Sequence, residues 1–134
     1  MKKMLILFFT LTGFAACSTK EASPPQTALD TGREFIRASL DGDFKKASGF
    51  LLADSQNVQL FESYEVFYEK LPASKKNGYK EASYKINKYL DIDDSTALIN
   101  YSNDFMNKPM DIKLVRQNKK WAVDFKYTYS GNLP

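Results

Sequence analysis

Histidine is absent from the 134 residues, and cysteine occurs once, as Cys17. The first absence removes the commonest general base near neutral pH and the Ser–His and Cys–His nucleophile pairs. With at most one thiolate and no imidazole, it also removes the usual structural zinc sites. Glycine-rich phosphate loops, Gly-x-Ser-x-Gly and Ser-x-x-Lys are missing as well. Any catalysis would have to run on carboxylates, tyrosine or lysine. The chain is also short of net charge. It carries 19 Lys and Arg against 16 Asp and Glu, a balance of +3, and two of those charges are Lys2 and Lys3 at the extreme N-terminus. The remainder, 3 − 2 = +1, lacks the basic footprint that nucleic acid requires. No basic cluster lies on an amphipathic pattern, so there is no membrane-surface signature. No repeat or low-complexity tract is present.

What is there begins with Met1-Lys2-Lys3 and an apolar run from Met4 to Phe14, broken by Thr10, Thr12 and Gly13. Positive charge followed by a short apolar stretch is the layout of an export signal. The run is too short to span a membrane, which takes roughly 20 apolar residues. Ala15 and Ala16 are small enough for a signal peptidase pocket, and Cys17 follows directly. This stretch resembles the lipobox of bacterial lipoproteins, with Phe14 where leucine is usual. The resemblance implies a thioether-linked diacylglycerol on Cys17, cleavage before it, and N-acylation, for example by palmitate. The alternative is an ordinary secretory signal cleaved near Ala16, which leaves Cys17 an unpaired thiol in an oxidising compartment. Two or three acyl chains anchor stably, since each buried CH2 contributes about 0.8 kcal/mol and one chain alone is marginal.

Residues 1–16 thus read as a signal peptide and 17–25 as a polar tether with Pro24-Pro25. Residues 26–130 are expected to form a single α+β domain. A first helix is expected to begin near Pro24 or Pro25. Its stripe is Leu29, Gly32, Ile36 and Leu40, flanked by Phe35 and Ser39, and Gly42 ends it. Asp43 caps a short second helix that carries Phe44, Ala47 and Leu51. A third, from about Val58 to Lys70, presents Leu60, Phe61, Tyr64, Phe67, Tyr68 and Leu71, and Pro72 stops it. Residues 73–78 read as a loop with a turn at Asn77-Gly78. From Tyr79 the period becomes two. Ala82, Tyr84, Ile86, Leu90 and Ile92 share one strand face. Ala97, Ile99 and Tyr101 make the next, Met110, Ile112 and Leu114 a third, and Trp121, Val123, Phe125, Tyr127 and Tyr129 a fourth. Trp121 should be buried against a helix. Helices first and an antiparallel meander after place the helices on one face of a curved sheet of about four strands.

Two phrases carry a family resemblance. One is Asp41-Gly42-Asp43-Phe44 between the first two helices, and the other runs from Met110 to Phe125 through Lys120-Trp121-Ala122-Val123. Together they resemble the small bacterial lipoproteins of unknown function with a cystatin-like, or nuclear-transport-factor-like, cone. That fold hosts ketosteroid-isomerase-like enzymes, dehydratases and many non-catalytic binding domains, so the fold does not choose the function.

The aromatics Tyr64, Tyr68 and Trp121, with Phe67 and Phe125 near them, are candidates to line the mouth of the cone and hold an apolar ligand. The competing reading is packing of a helix on the sheet. Asp91, Asp93 and Asp94 lack the glycine and distal glutamate of a calcium loop and read as turn chemistry. Asp94-Ser95-Thr96 resembles an O-glycosylation acceptor of some Gram-negative bacteria. Asp124 is flanked by large apolar residues, but by alternation it faces away from Trp121, Val123 and Phe125. A desolvated carboxylate beside a tyrosine would make an isomerase-like base, and the inward positions of the strands contain none. The expectation is therefore a lipid-anchored envelope protein with a non-catalytic binding domain, whose partner is an envelope protein or a small apolar ligand, with no cofactor and no metal. The other reading is a small isomerase- or dehydratase-like enzyme using a carboxylate in the cone. Ser18 after Cys17 differs from the aspartate that resembles an inner-membrane retention signal, which favours the outer membrane if the cell is Gram-negative. Replacing Cys17 with serine should abolish acylation and leave unprocessed precursor. Labelling cells with a radioactive fatty acid checks this, and label retained by the serine variant would contradict it.

Overall fold

The computed structural model describes residue 23 and residues 25–132. The leader, Cys17 and most of the tether lie outside the described residues, as does the side chain of Tyr129. The described chain is α+β. Its helices α1 (Ala28–Asp41), α2 (Phe44–Ser48), α3 (Ser55–Glu69) and α4 (Ala73–Glu81) come first. An antiparallel sheet follows, of β1 (Tyr84–Asp93), β2 (Thr96–Asn103), β3 (Pro109–Gln117) and β4 (Lys120–Asp124), and then α5 (Phe125–Asn132). The sheet order is β1-β2-β3-β4, a plain meander. Helix α1 lies across β2, β3 and β4.

Local chemistry explains the first helices. Thr27 caps α1 by accepting from the Asp30 N–H, two to three residues later than the prolines. Gly42 ends it at φ 73°, where its N–H and that of Asp43 return to carbonyls of the last turn. Asp43 caps α2 and Asp54 caps α3 in the same way. Helix α2 is a single turn and a half, so Leu51 falls beyond it and bridges to Val123 on the outer edge of β4. Leu52 N–H donates to Val123 O, and Val123 N–H donates to Phe50 O. That edge of the sheet is therefore covered, which removes one template for unwanted strand pairing.

Gly32 sets the distance between α1 and the sheet. A methyl group at its position would lie 2.3 Å from Ile99 Cδ1 and 3.3 Å from Ile112 Cδ1. Both isoleucines are fully buried, with Leu114 and Val123 beside them. Phe35, Phe44, Phe61 and Phe125 fill the space between the helices and this floor. Their ring centroids lie 5.1 Å apart for Phe61–Phe125 and 5.6 Å for Phe44–Phe61, at tilted or edge-on angles.

Five expectations need correction. Residues 73–78 are helical, as part of α4. Asn77-Gly78 was readable as a turn only because nothing local shows its tertiary support. Gly78 and Tyr79 lie against Phe105, and Arg37 of α1 donates to the carbonyls of Lys80 and Ala82 at 3.1 and 2.9 Å, satisfying the end of the helix. The apolar face of α3 is narrower than its pattern. Phe61 and Tyr68 are buried and Tyr64 is half-buried, whereas Phe67, on the flank, is 52% exposed. In β1 a register shift between Ile86 and Lys88 inserts Asn87 and reverses the phase. Tyr89, opposite Ile99, then packs on the core, and Leu90 and Ile92 turn outward. Finally, the last strand stops at Asp124. Tyr127 and Tyr129 belong to α5, where Phe125 and Thr128 are buried at helical spacing and Tyr127 is exposed. Trp121 opposes Arg116, two positions beyond the sealed Leu114–Val123 pair, and is only half-buried against the core.

The close approach at Gly32 gives a direct test. Alanine there gains roughly 1 kcal/mol of helix propensity but forces the helix off Ile99, and overpacking of this kind costs about 1–3 kcal/mol. Gly32→Ala should therefore be no more stable than the wild type in urea unfolding, and destabilised if Ile99 cannot rotate. A clear stabilisation would contradict the packing.

Candidate functional site

Four tyrosines from three elements converge inside the domain. Tyr64 and Tyr68 come from successive turns of α3, Tyr79 from the last turn of α4, and Tyr101 from the inward face of β2. Phe44 bridges the first two, at 5.7 Å from Tyr64 and 4.9 Å from Tyr68. Tyr68 meets Tyr79 at 6.3 Å, and Tyr101 meets Tyr84 edge-on at 6.5 Å. Tyr68 and Tyr101 are buried, at 5% and 6% exposure. The hydroxyls of Tyr84 and Tyr89 donate to Arg33 O and Asp91. Those of Tyr64, Tyr68, Tyr79 and Tyr101 make no hydrogen bond among the described residues.

The electrostatics agree with the convergence. Burial pushes Tyr64 up to about 12, and the neighbouring Tyr79 and Tyr68 oppose its ionisation further. Tyr101 is driven far above the ordinary phenol value, first by burial and then by Tyr64 and Tyr79. Tyr68 and Tyr79 are raised too, again chiefly by burial. Neutral phenols at this place donate and accept hydrogen bonds and present aromatic faces. They hold no base.

The carboxylates have other work. Asp124 Oδ1 accepts from Asn57 Nδ2 at 3.2 Å, and Lys113 Nζ stands 3.9 Å from its other oxygen. Asp111 accepts from Asn100, and Asp104 from the Ser83 N–H. Asp91 and Asp93 accept from Tyr89 and from the Ser95 N–H, as turn and strand-end chemistry. Among the described residues no group of three or more Asp, Glu or Cys side chains is placed to hold a metal, and no helix is long and apolar enough to cross a membrane. Ser95 lies exposed at the tip of the β1–β2 hairpin, so its Asp-Ser-Thr motif is accessible.

Of the three aromatics singled out from the sequence, Tyr64 and Tyr68 stand together here. Trp121 joins none of these ring contacts among the described residues and sits at the far hairpin end of β4. Tyr79 and Tyr101 were missed as site residues. Alternation gives Tyr101 only as an ordinary inward position, and the sequence pattern leaves Tyr79 at the edge of a loop. Surface hollows of about 480 and 330 Å3 lie elsewhere, at the start of β1 and on the outer sheet face, and neither is lined by Tyr64, Tyr68 or Trp121.

No known protein family matches this chain, and no curated protein is significantly similar to it.

The raised phenols predict an alkaline limit to stability. A tyrosine whose folded value lies above its unfolded value of about 10 favours the fold below that pH. This preference is lost as pH rises toward the folded value. Tyr64, Tyr68, Tyr79, Tyr89 and Tyr101 all shift in this direction. Ultraviolet titration should show these phenols resisting ionisation at pH 10–11 and then ionising together with loss of circular dichroism. Smooth ionisation of all eight tyrosines near pH 10 with the fold intact would contradict the burial.

Proposed function

We infer that the chain is a lipid-anchored protein of the bacterial cell envelope, held through Cys17, whose domain is a non-catalytic binding module related to the cystatin-like or nuclear-transport-factor-like cones. The outer membrane is the favoured location if the cell is Gram-negative. Its ligand is a small apolar molecule that carries hydrogen-bond acceptors. The leader and Cys17 support the anchor. The observation that carries the binding role is the convergence of Tyr64, Tyr68, Tyr79 and Tyr101 with hydroxyls that have no protein partner. An acceptor on a bound molecule completes them, and Phe44 and Phe105 supply apolar surface nearby.

What supports a binder over an isomerase is the use of the carboxylates. Proton abstraction near neutral pH needs a desolvated carboxylate with a raised pKa. Asp124 is instead engaged by Asn57 and Lys113, and Asp104 and Asp111 each accept a hydrogen bond close to the chain surface.

The test is co-purification. The lipidated protein is extracted from membranes in mild detergent, and its small-molecule content is compared by mass spectrometry with that of the Tyr64→Phe/Tyr101→Phe double variant. A compound distinct from the acyl anchor should accompany the wild type and fall about tenfold or more in the variant, as expected for loss of two hydrogen bonds. Equal amounts in both, or none in either, would contradict the reading.

A further inference from the structure

The C-terminal half of α1 lies at the end of the sheet where β1 begins and β2 ends. Arg37 donates to the carbonyls of Lys80 and Ala82, just before β1. Gly42 lies against Tyr68, which meets Tyr79, and Tyr79 meets Phe105 just after β2. Gly32, nearer the start of the helix, rests on Ile99 and Ile112 in the middle of β2 and β3. Helix α1 therefore begins toward the opposite end, which holds the tips of the β1–β2 and β3–β4 hairpins. Those tips are neighbours, because Arg116 N–H donates to Ser95 O at 2.8 Å. The chain that leads back to Cys17 leaves the domain on this side. Residues 18–27 can span at most about 35 Å, so a lipid on Cys17 keeps this end near the bilayer.

The β3–β4 tip is basic. Residues 116–120 are all exposed, and the cations Arg116, Lys119 and Lys120 form no ion pair among the described residues. Gln117 pairs with Lys120, so Asn118 and Lys119 make a two-residue turn, at φ 50° and 63°. Asparagine tolerates that left-handed backbone. At the second position glycine is the usual choice, since a Cβ there crowds the following carbonyl. Lys119 is thus less favourable than glycine for the turn, and no side-chain bond of its own offsets this among the described residues. A backbone outlier of this kind is the observation from which a functional role is argued. Trp121 lies across the ladder from Arg116, is half-buried, and is the one tryptophan of the chain. Its ring suits the boundary between lipid headgroups and hydrocarbon.

We propose that the β3–β4 tip, from Arg116 to Trp121, docks on the anionic phospholipid surface that the acyl chains on Cys17 enter. This rests on the lipid anchor and not on the tyrosine cluster. Asp93 and Asp94, exposed on the neighbouring tip, carry the opposite sign and confine the attraction to β3–β4. Three cations on a turn beside two acids are too few to recruit a free protein to a membrane. Next to an anchor the local concentration of lipid is high, and a weak contact is populated. Docking turns the end that holds Tyr68, Tyr79 and Phe105 away from the bilayer.

Trp121 reports on this contact directly. The lipidated full chain is reconstituted on vesicles of phosphatidylcholine, alone or mixed with phosphatidylglycerol, each containing brominated lipid to quench tryptophan. Flotation with the vesicles reads the anchor separately: protein that does not float refutes the anchor, and the proposal falls with it. In floating protein, quenching of Trp121 should be about twofold or more stronger with phosphatidylglycerol, and high salt should remove the difference. Lys119→Gly/Lys120→Gln keeps the turn and should abolish the difference, with flotation and circular dichroism unchanged. Asp94→Asn should enlarge it. Quenching in floating protein that is independent of phosphatidylglycerol and of salt, or that persists in the lysine variant, would overturn the docking while leaving the anchor intact.

Discussion

Asn57 is wholly buried, and its side chain joins parts of the chain that are distant in sequence. Its Nδ2 donates to Asp54 at 2.8 Å and to Asp124 at 3.2 Å, and its Oδ1 accepts from the Lys126 N–H at 2.8 Å. Lys126 Nζ reaches back to Asp54 at 3.1 Å. Every hydrogen-bonding position of the amide facing this junction is used, as a buried polar group requires. The first turn of α3 is thereby tied to the point where β4 ends. Asp54 serves twice, as the cap of α3 and as the partner of Lys126. Those hydrogen bonds, the Asn57 backbone N–H first, hold its carboxyl below the ordinary value.

The rest of the interior depends on that junction. Because the chain leaves the sheet at Asp124 and turns into α5, Phe125 enters the aromatic layer at the level of Phe61 and Tyr64 instead of continuing along β4. Helix α3 is fixed at its N-terminal end by Asn57 and along its length by rings against Phe44. Tyr64 and Tyr68 are therefore held over the sheet, where Tyr101 rises from β2 and Tyr79 arrives from α4. The placement of Tyr64 beside Phe125 is thus tied to how the last strand is terminated.

Much of this was legible in the residues. The cap at Asp43, the glycine stop at Gly42, and the inward faces of β2 and β3 follow from local rules and stand as read, whereas α3 begins at Ser55, capped by Asp54, earlier than the expected Val58. The failures share one cause. The run from Trp121 to Tyr129 alternates as a strand should, yet the decisive partner of Lys126 is an asparagine 69 residues away. Helix α4 rests on Arg37, and the phase of β1 on one inserted residue, Asn87. None of these leaves a periodic trace. In the candidate site, aromatic spacing on α3 was enough to single out Tyr64 and Tyr68. It placed Trp121 with them because strand alternation says which face a residue takes and not how far along the sheet it sits.

The claim on which the structure turns is that Asn57 ends β4 and sets α5. Backbone chemical shifts of residues 125–132 in Asn57→Leu, a near-isosteric change that cannot accept from Lys126 N–H, test it most directly. The account predicts that their helical shifts are lost or broadened while those of α1 and of the β2–β3 pair persist. It also predicts a fall in stability of about 2–4 kcal/mol, from an unpaired buried N–H and a released Asp124. Helical shifts kept in full, with stability unchanged, would contradict it.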